Sequence, residues 1–424
     1  MTGLVEEIAD RLELMNVEVV RDDRRVVYHQ KLEHGIVDSE ILGEAVNLHD
    51  YQVDVANLAL EEKRGIIKCA TGGGKTAIFT AILKAFSQKY PAIMLCRSKS
   101  IIDQTKAAFE KYGLENVGIV YMNNVKPDLI TCATAQSVLK LEPLISRTRI
   151  LLVDEVHEWA SKEGEKILKL FDNCVYKLGF SATPFNEDQI HNLKLIGLIG
   201  PQLCDVSIEY LKEKNILSSC HAHFYRIQVP PPADGSLVGE TYLQSDNNGI
   251  VENMNLHRKV VEIVQNIPKG RILILVRRLS HGDRLKELLP EAYWVRGEDN
   301  YKTREYVLSQ LRHSASEKVV AIMSAIGFYG LDVLCHHLVN TCGGKDANLL
   351  IQKVGRGLRR GIDKTHLEYH DFMFHGDKFL NRHSKIRIQV LRSEGHDVTT
   401  DDTLEKDKQS FLESKNKICT EILG

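Results

Sequence analysis

No apolar run in this 424-residue chain is long enough to span a bilayer, which takes about 20 consecutive apolar residues in a helix. The opening Met1-Thr2-Gly3-Leu4-Val5-Glu6-Glu7 carries acid where a secretory signal would carry base. A cytoplasmic or nucleoplasmic protein with no membrane partner is therefore expected. Nine cysteines are scattered without paired metal-ligand spacing. Cys220, His221 and His223 stand close together, but on an alternating segment they are expected to be structural rather than metal ligands. An excess of one charge is also missing: the formal net charge is -2, which neither points to nor excludes a polyanionic partner.

What is present is an ordinary soluble composition, 43% hydrophobic and 26% charged, in a chain of 48.0 kDa that is long enough for two core-bearing domains. Charge is uneven along it. Between Lys345 and Arg392, 11 Lys or Arg stand against 5 Asp or Glu, so either a local basic face for phosphate backbones or a merely solvated charged surface is expected there.

The run Cys69-Ala70-Thr71-Gly72-Gly73-Gly74-Lys75-Thr76 follows Gly65-Ile66-Ile67 and precedes Ala77-Ile78-Phe79. This is the strand, tight loop and helix of a phosphate-binding P-loop, with Cys69 where the generic pattern starts on Gly. Glycines let backbone N–H groups turn toward phosphates, and the following helix offers its positive end to the same anion. Tyr51, Gln52, Thr71, Gly72, Gly73, Gly74, Lys75 and Thr76 are the expected ATP-binding residues of this half. Lys75 would reach the β and γ phosphates, the Thr76 hydroxyl would ligate Mg2+, and the Gln52 amide would read the adenine edge.

A second site follows at Ile150-Leu151-Leu152-Val153-Asp154-Glu155-Val156-His157, four apolar residues ending in two carboxylates. It reads as a buried parallel strand that delivers charge at its C-terminal end. Asp154 would hold Mg2+, Glu155 would polarise the attacking water, and His157 would transmit nucleotide state. Ala92 to Arg97, Leu129 to Thr134 and Tyr176 to Phe180 read as further strands. The last leads into Ser181-Ala182-Thr183-Pro184, where the hydroxyls of Ser181 and Thr183 can exchange hydrogen-bond partners.

Past about residue 205 a second α/β section is expected. Residues 221 to 229 alternate like a strand, and Pro230-Pro231-Pro232 with the polar stretch to about 250 marks an exposed excursion. Arg271 to Val276, Val319 to Met323 and His336 to Val339 read as strands, Gly282 to Leu289 as a helix. No second P-loop accompanies this unit. In Gln352-Lys353-Val354-Gly355-Arg356-Gly357-Leu358-Arg359, positions 352, 356 and 359 are spaced to share one helical face. Arg356 and Arg359 suit a triphosphate, being permanently charged forks of donors.

Over residues 46 to 392 this arrangement resembles a superfamily 2 helicase. Gln52 stands at the adenine-reading glutamine, Gly72 to Thr76 match motif I, and Asp154 to His157 resemble the DExH form of motif II. Ser181 to Thr183 match motif III, Gly330 and Asp332 the end of motif V, and Gln352, Gly355, Arg356 and Arg359 the QxxGRxxR motif VI. Arg97, Gln104, Thr134 and Gln136 fall in regions resembling motifs Ia to Ic, and Arg277 follows the strand resembling motif IV. These five are the nucleic-acid contacts that the resemblance implies. Gly297 and Arg304 match the usual glycine and downstream arginine, Ser324 keeps a hydroxyl where Thr is common, and Tyr329 replaces an acidic residue.

The resemblance implies two tandem RecA-like parallel-sheet domains, residues 46–205 and 206–392, with a small helix-and-strand appendage at 1–45 and an extension at 393–424. The tail from Tyr369 to Ser384 is similar to the UvsW and RecG-like translocase group of phage and prokaryotic helicases. An ATP- and Mg2+-dependent DNA helicase or translocase, acting on forked or branched DNA in recombination, repair or replication of a bacterium or phage-infected cell, is the expectation. An RNA helicase and a catalytically weak nucleic-acid-binding scaffold remain as alternatives.

Overall fold

The computed structural model describes residues 2–20, 31–172, 174–231, 241–299, 301–313, 317–324, 334–358 and 364–401. The chain divides into two compact units, Met1–Ser207 and Ile208–Gly424. Each is a sheet flanked by helices, and the two are tandem RecA-like α/β domains.

The first unit is built on β1 (Arg64–Cys69), β2 (Ala92–Cys96), β3 (Val117–Tyr121), β4 (Asn124–Lys126), β5 (Ile130–Thr134), β6 (Ile150–Asp154), β7 (Tyr176–Ser181) and β8 (Gln202–Val206). Their order across the sheet is β4-β3-β5-β2-β6-β7-β1-β8, and only the β3–β4 pair is antiparallel. Central strands β2, β5 and β7 are buried at every position, as covering by helices on both faces requires. Leu151 and Val153 of β6 are fully buried beside Trp159 and Phe171, each contributing roughly 2 kcal/mol by leaving water. All strands but β4 run one way, so β1, β2, β3, β5, β6 and β7 release their chain ends along one edge.

The second unit holds β9 (Ser219–Gln228), β10 (Gly270–Val276), β11 (Tyr293–Val295), β12 (Lys318–Ser324), β13 (His337–Asn340), β14 (His366–His375) and β15 (Asp397–Thr400). Their order is β11-β12-β10-β13-β14-β9-β15, parallel throughout. Under β13 and β14 lies a buried polar network. Arg387 grips Asp371 with two nitrogens at 2.8 and 3.0 Å, Tyr369 and Asn340 donate to the same carboxylate, and Lys353 donates to Asn340. With every member satisfied, such a network fixes one packing geometry.

Several expectations change. The stretch expected as an exposed excursion to residue 250 is not one over its described part. Thr241 caps a short helix, Tyr242–Asp246, which continues as a π-turn, Asn247–Val251. Asp246 is buried there because Arg277 and Arg278 both bind its carboxylate, a paired charge being tolerable where a lone one is not. The helix expected at 282–289 begins earlier, at Leu279, since Gly282 is an interior position packed against Trp294. The N-terminal segment holds a helix, Val5–Leu14, and no strand among its described residues. It falls within the first unit: Val37 exchanges two hydrogen bonds with Asn57, and Leu32 and Leu42 are buried. Residues 397–400 of the expected extension form β15 at the edge of the second sheet. Among the described residues no helix is long and apolar enough to cross a membrane.

Burial holds several histidines of the second unit in the neutral state. It lowers His281 and His370 to about 3, and His337 and His396 to about 4. The unfolded chain takes up these protons near the ordinary value of 6.5 and the fold does not, so stability is complete above pH 6.5 and declines as pH falls toward 4. Thermal unfolding followed by circular dichroism is expected to show a melting temperature that drops steadily from pH 7 to pH 5. A flat profile over that window would contradict neutral burial.

Candidate active site

β1 ends in Cys69, whose thiol burial pushes up to about 12, and the chain turns through Ala70–Gly74 into the helix Lys75–Ala85. Gly72 and Gly74 have φ of 88° and 76°, left-handed values that glycine adopts without penalty. A Cβ at Gly74 would also collide with the Gln52 amide. The loop is clamped from both sides. Ala70 N–H donates to the Val206 carbonyl at 3.0 Å, while Tyr51 Oη and Gln52 Nε2 donate to the Gly73 carbonyl at 2.7 and 3.3 Å. Gln52 Oε1 in turn accepts from the His49 N–H at the start of helix Asp50–Glu62. Both ends of the Gln52 amide are thus engaged within the chain, tying this helix to the loop.

β6 delivers the carboxylates. Lys75 Nζ lies 2.8 Å from Glu155 Oε1 and 3.7 Å from Asp154 Oδ1. Burial disfavours the Lys75 charge, but Glu155 and Asp154 outweigh it and hold the amine above its ordinary pKa. Burial likewise pushes Glu155 up, and Lys75, His157 and Ser181 together bring it below the usual carboxylate value. Glu155 takes a left-handed backbone, φ 46° and ψ 56°, uncommon for a residue with a side chain and typical of strain held at a functional position. Its second oxygen accepts from Ser181 Oγ at 3.2 Å, and His157 Nδ1 lies 2.8 Å from that hydroxyl. Ser181 Oγ also receives the Thr183 N–H at 3.1 Å. Burial is the main reason His157 stays below its ordinary pKa, with Glu155 opposing and Lys75 reinforcing.

Lys75, Asp154, Glu155, His157, Ser181 and Thr183 therefore gather at the exits of adjacent strands and the glycine loop. The residues fit an anionic ligand with a hard cation. The loop glycines and helix N-terminus form a cradle, the buried Thr71 Oγ1 has no hydrogen-bond partner among the described residues, and Thr76 and Asp154 offer oxygen ligands.

On the other half of the same edge, the exits of β2, β3 and β5 enclose a groove of about 540 Å³. Arg97, Thr134 and Gln136 line it together with Lys99, Tyr121, Asn123 and Lys140, which the motif reading did not single out. Lys99 and Lys140 were visible as cations just past strand exits, but the fold was needed to bring three exits together. Arg97 pairs with Glu158, three residues beyond Glu155, and so links the groove to the carboxylate turn. Gln104 is exposed on helix Lys99–Lys111 and is not among the residues lining the groove.

In the second unit, Gln352 and Arg356 lie on the helix Ala347–Gly357, capped by Asp346. Arg359, Gly330, Asp332 and Tyr329 lie outside the described residues. Lys353 of this helix is the member that ties it to the Asp371–Arg387 network. Arg304 donates to the Gly297 carbonyl, bringing that pair together. Arg277 is held by Asp246 at 2.8 Å and by the Tyr242 hydroxyl at 3.1 Å. The expected basic face is only partly a face, since Lys353, Lys364 and Arg387 are buried. Lys378, Arg382 and Lys385 are exposed and line a recess of about 440 Å³.

A family model described as Type III restriction enzyme, res subunit, matches residues 45–186, spanning the glycine loop, the carboxylates and Ser181. The chain is 27% identical over 387 residues to a DNA 3'-5' translocase, XPB2, of Sulfurisphaera tokodaii, covering 80% of this chain and 86% of the relative. It is 21% identical over 342 residues to the ATP-dependent DNA helicase uvsW of Enterobacteria phage T4, covering 75% of this chain and 66% of that one. The chain carries a superfamily 2 helicase domain. That domain is similar in sequence to the phage helicase and, over residues 45–186, to the res subunit of Type III restriction enzymes. In fold, the helicase domain is similar to the Type ISP restriction-modification enzyme LlaBIII solved bound to DNA, with a TM-score of 0.60 at 15% identity over 82% of this chain and 30% of that one. It is also similar to a fragment of an HsdR subunit of a type I restriction enzyme from Vibrio vulnificus, with a TM-score of 0.56 at 19% identity over 76% and 63% of the two chains.

Replacing Lys75 with Met leaves two partly buried carboxylates without their cation, a loss of at most about 3–5 kcal/mol, the cost of breaking a fully buried pair. The single variant is expected to melt earlier and lose nucleotide binding, and adding Glu155→Gln is expected to restore part of the melting temperature. Equal melting of the single and double variants would show the pair to be uncoupled.

Proposed function

We propose that this protein is an ATP-dependent nucleic-acid translocase, acting on DNA and remodelling paired or branched strands. One observation carries the reading: a single sheet edge bears both the Lys75–Glu155 cluster and a cationic groove, joined through the Arg97–Glu158 pair. The names of the relatives, a DNA translocase and a DNA helicase, support DNA as the polymer.

In this reading the glycine loop and Thr71 bind the triphosphate, and Lys75 leaves Glu155 for the β and γ phosphates. Thr76 and Asp154 would hold Mg2+, which when bound neutralises phosphate charge. Glu155, released from Lys75 and still held by Ser181, accepts the proton of the attacking water. Arg356, Arg359 and Gln352 stabilise charge developing on the γ phosphate, and Gly330 with Asp332 completes the nucleotide contacts. Tyr51 and Gln52 brace the loop from behind, and Gln52 reads adenine once its amide exchanges partners. His157, neutral at physiological pH, and the Ser181–Thr183 turn report loss of the phosphate by re-pairing hydroxyls.

Arg97, Lys99, Thr134, Gln136 and Lys140 hold phosphates of one strand, with Tyr121 offering a stacking face. Gln104 and Arg277 contribute from their helix and strand exit. The exposed Lys378, Arg382 and Lys385 are better placed for backbone contact than Arg277, whose donors already serve Asp246. Backbone contacts of this kind are sequence-tolerant and weaken as salt rises.

Steady-state ATP hydrolysis measured with single-stranded DNA, duplex, a four-way junction, a fork and matched RNA tests the proposal. Stimulation by DNA, greatest with branched forms and falling with salt, is expected. Stronger stimulation by RNA would move the substrate to RNA, and hydrolysis unaffected by any polymer would overturn the reading.

A further inference from the structure

The sheet of the second unit carries a cluster that the ATPase reading does not use. Glu368 on β14 is directly in register with His221 on β9, and His366 precedes Glu368 by two residues on the same face. All three lie toward the N-terminal ends of their strands, at the edge opposite the strand exits. His221 Nδ1 is 3.4 Å from Glu368 Oε1, and His366 Nε2 is 3.1 Å from the same oxygen. The ligand atoms of all three lie within 4.8 Å of one another.

These separations are longer than a charge-assisted hydrogen bond, about 2.7–2.9 Å between heavy atoms. They match the edges of a metal tetrahedron: two ligands roughly 2.0–2.1 Å from zinc at the tetrahedral angle stand about 3.3 Å apart. The histidine roles agree as well. His366 Nδ1 lies 3.0 Å from the Thr365 hydroxyl; in the tautomer whose Nδ1–H donates to that hydroxyl, Nε2 presents a lone pair toward Glu368, as metal-bound histidines are usually oriented. The two imidazole rings are stacked, their planes 27° apart and their centroids 5.3 Å apart. Sequence alone hides this set, because His221 and His366 stand 145 positions apart and only the β9–β14 register joins them.

We propose that His221, His366 and Glu368 form a binding site for a late first-row divalent cation, Zn2+ in particular. Two imidazoles and a carboxylate suit zinc, whereas Mg2+ prefers an all-oxygen shell. The half-exposed position leaves room for water to complete the shell. A bound ion would cross-link the strand that enters the second unit to the strand that follows the arginine segment.

The test is titration of the full-length, chelator-stripped protein with Zn2+ by calorimetry, repeated with Co2+ and visible absorption. One tight equivalent is expected. It should weaken at least tenfold in His366→Ala and in Glu368→Gln, and several-fold in Thr365→Val, while surviving in His34→Ala, which removes an exposed histidine of the first unit. Circular dichroism of each variant checks that it is folded. A tight equivalent that persists in His221→Ala/His366→Ala, or the absence of any tight equivalent in the parent protein, would overturn the site.

Discussion

The ion pair between Lys75 and Glu155 is the interaction on which the first unit is organised. Lys75 begins the helix after β1, Glu155 leaves β6, and they meet at 2.8 Å only because β7 alone separates these strands in the sheet. The pair holds two partly buried charges that would each be costly alone. Under the proposed function it also sets a resting state, in which the amine that would bind phosphate and the carboxylate that would activate water satisfy each other until an anion competes for the amine.

Everything around the pair constrains it. Tyr51, Gln52 and Val206 fix the glycine loop from behind, so Lys75 starts from a defined point. Ser181 and His157 hold the far oxygen of Glu155, so the carboxylate keeps its orientation when Lys75 departs. In the second unit the corresponding anchor is Asp371 with Arg387, which through Asn340 and Lys353 fixes the helix that carries Arg356. Each unit thus fixes one cation-bearing helix through a satisfied polar network.

Much of this was legible in the sequence, for physical reasons. Short apolar runs such as Ile150 to Val153, rich in branched residues and ending in carboxylates, read as buried strands, and a glycine loop between such a strand and a helix suits binding an anion. What could not be read was long-range pairing. The excursion near Asp246 looked exposed because polar residues dominate it, yet Arg277 and Arg278 neutralise that carboxylate and allow its burial. The basic run after Lys345 suggested one surface, but Lys353, Lys364 and Arg387 turn inward. The groove residues Lys99, Tyr121, Asn123 and Lys140 gained meaning only when three strand exits came to one edge. The partners of Gln52 are likewise beyond reach of local pattern, since both depend on how its helix meets the loop.

The most direct test of this account is the Glu155→Gln variant, with nucleotide affinity and turnover measured side by side. Amide and carboxylate share shape, so the glycine loop and Lys75 should still bind ATP within a few-fold of the parent. Without a proton acceptor, hydrolysis should slow by a factor on the order of hundreds or more. Turnover near that of the parent, at unchanged affinity, would contradict the role assigned to Glu155.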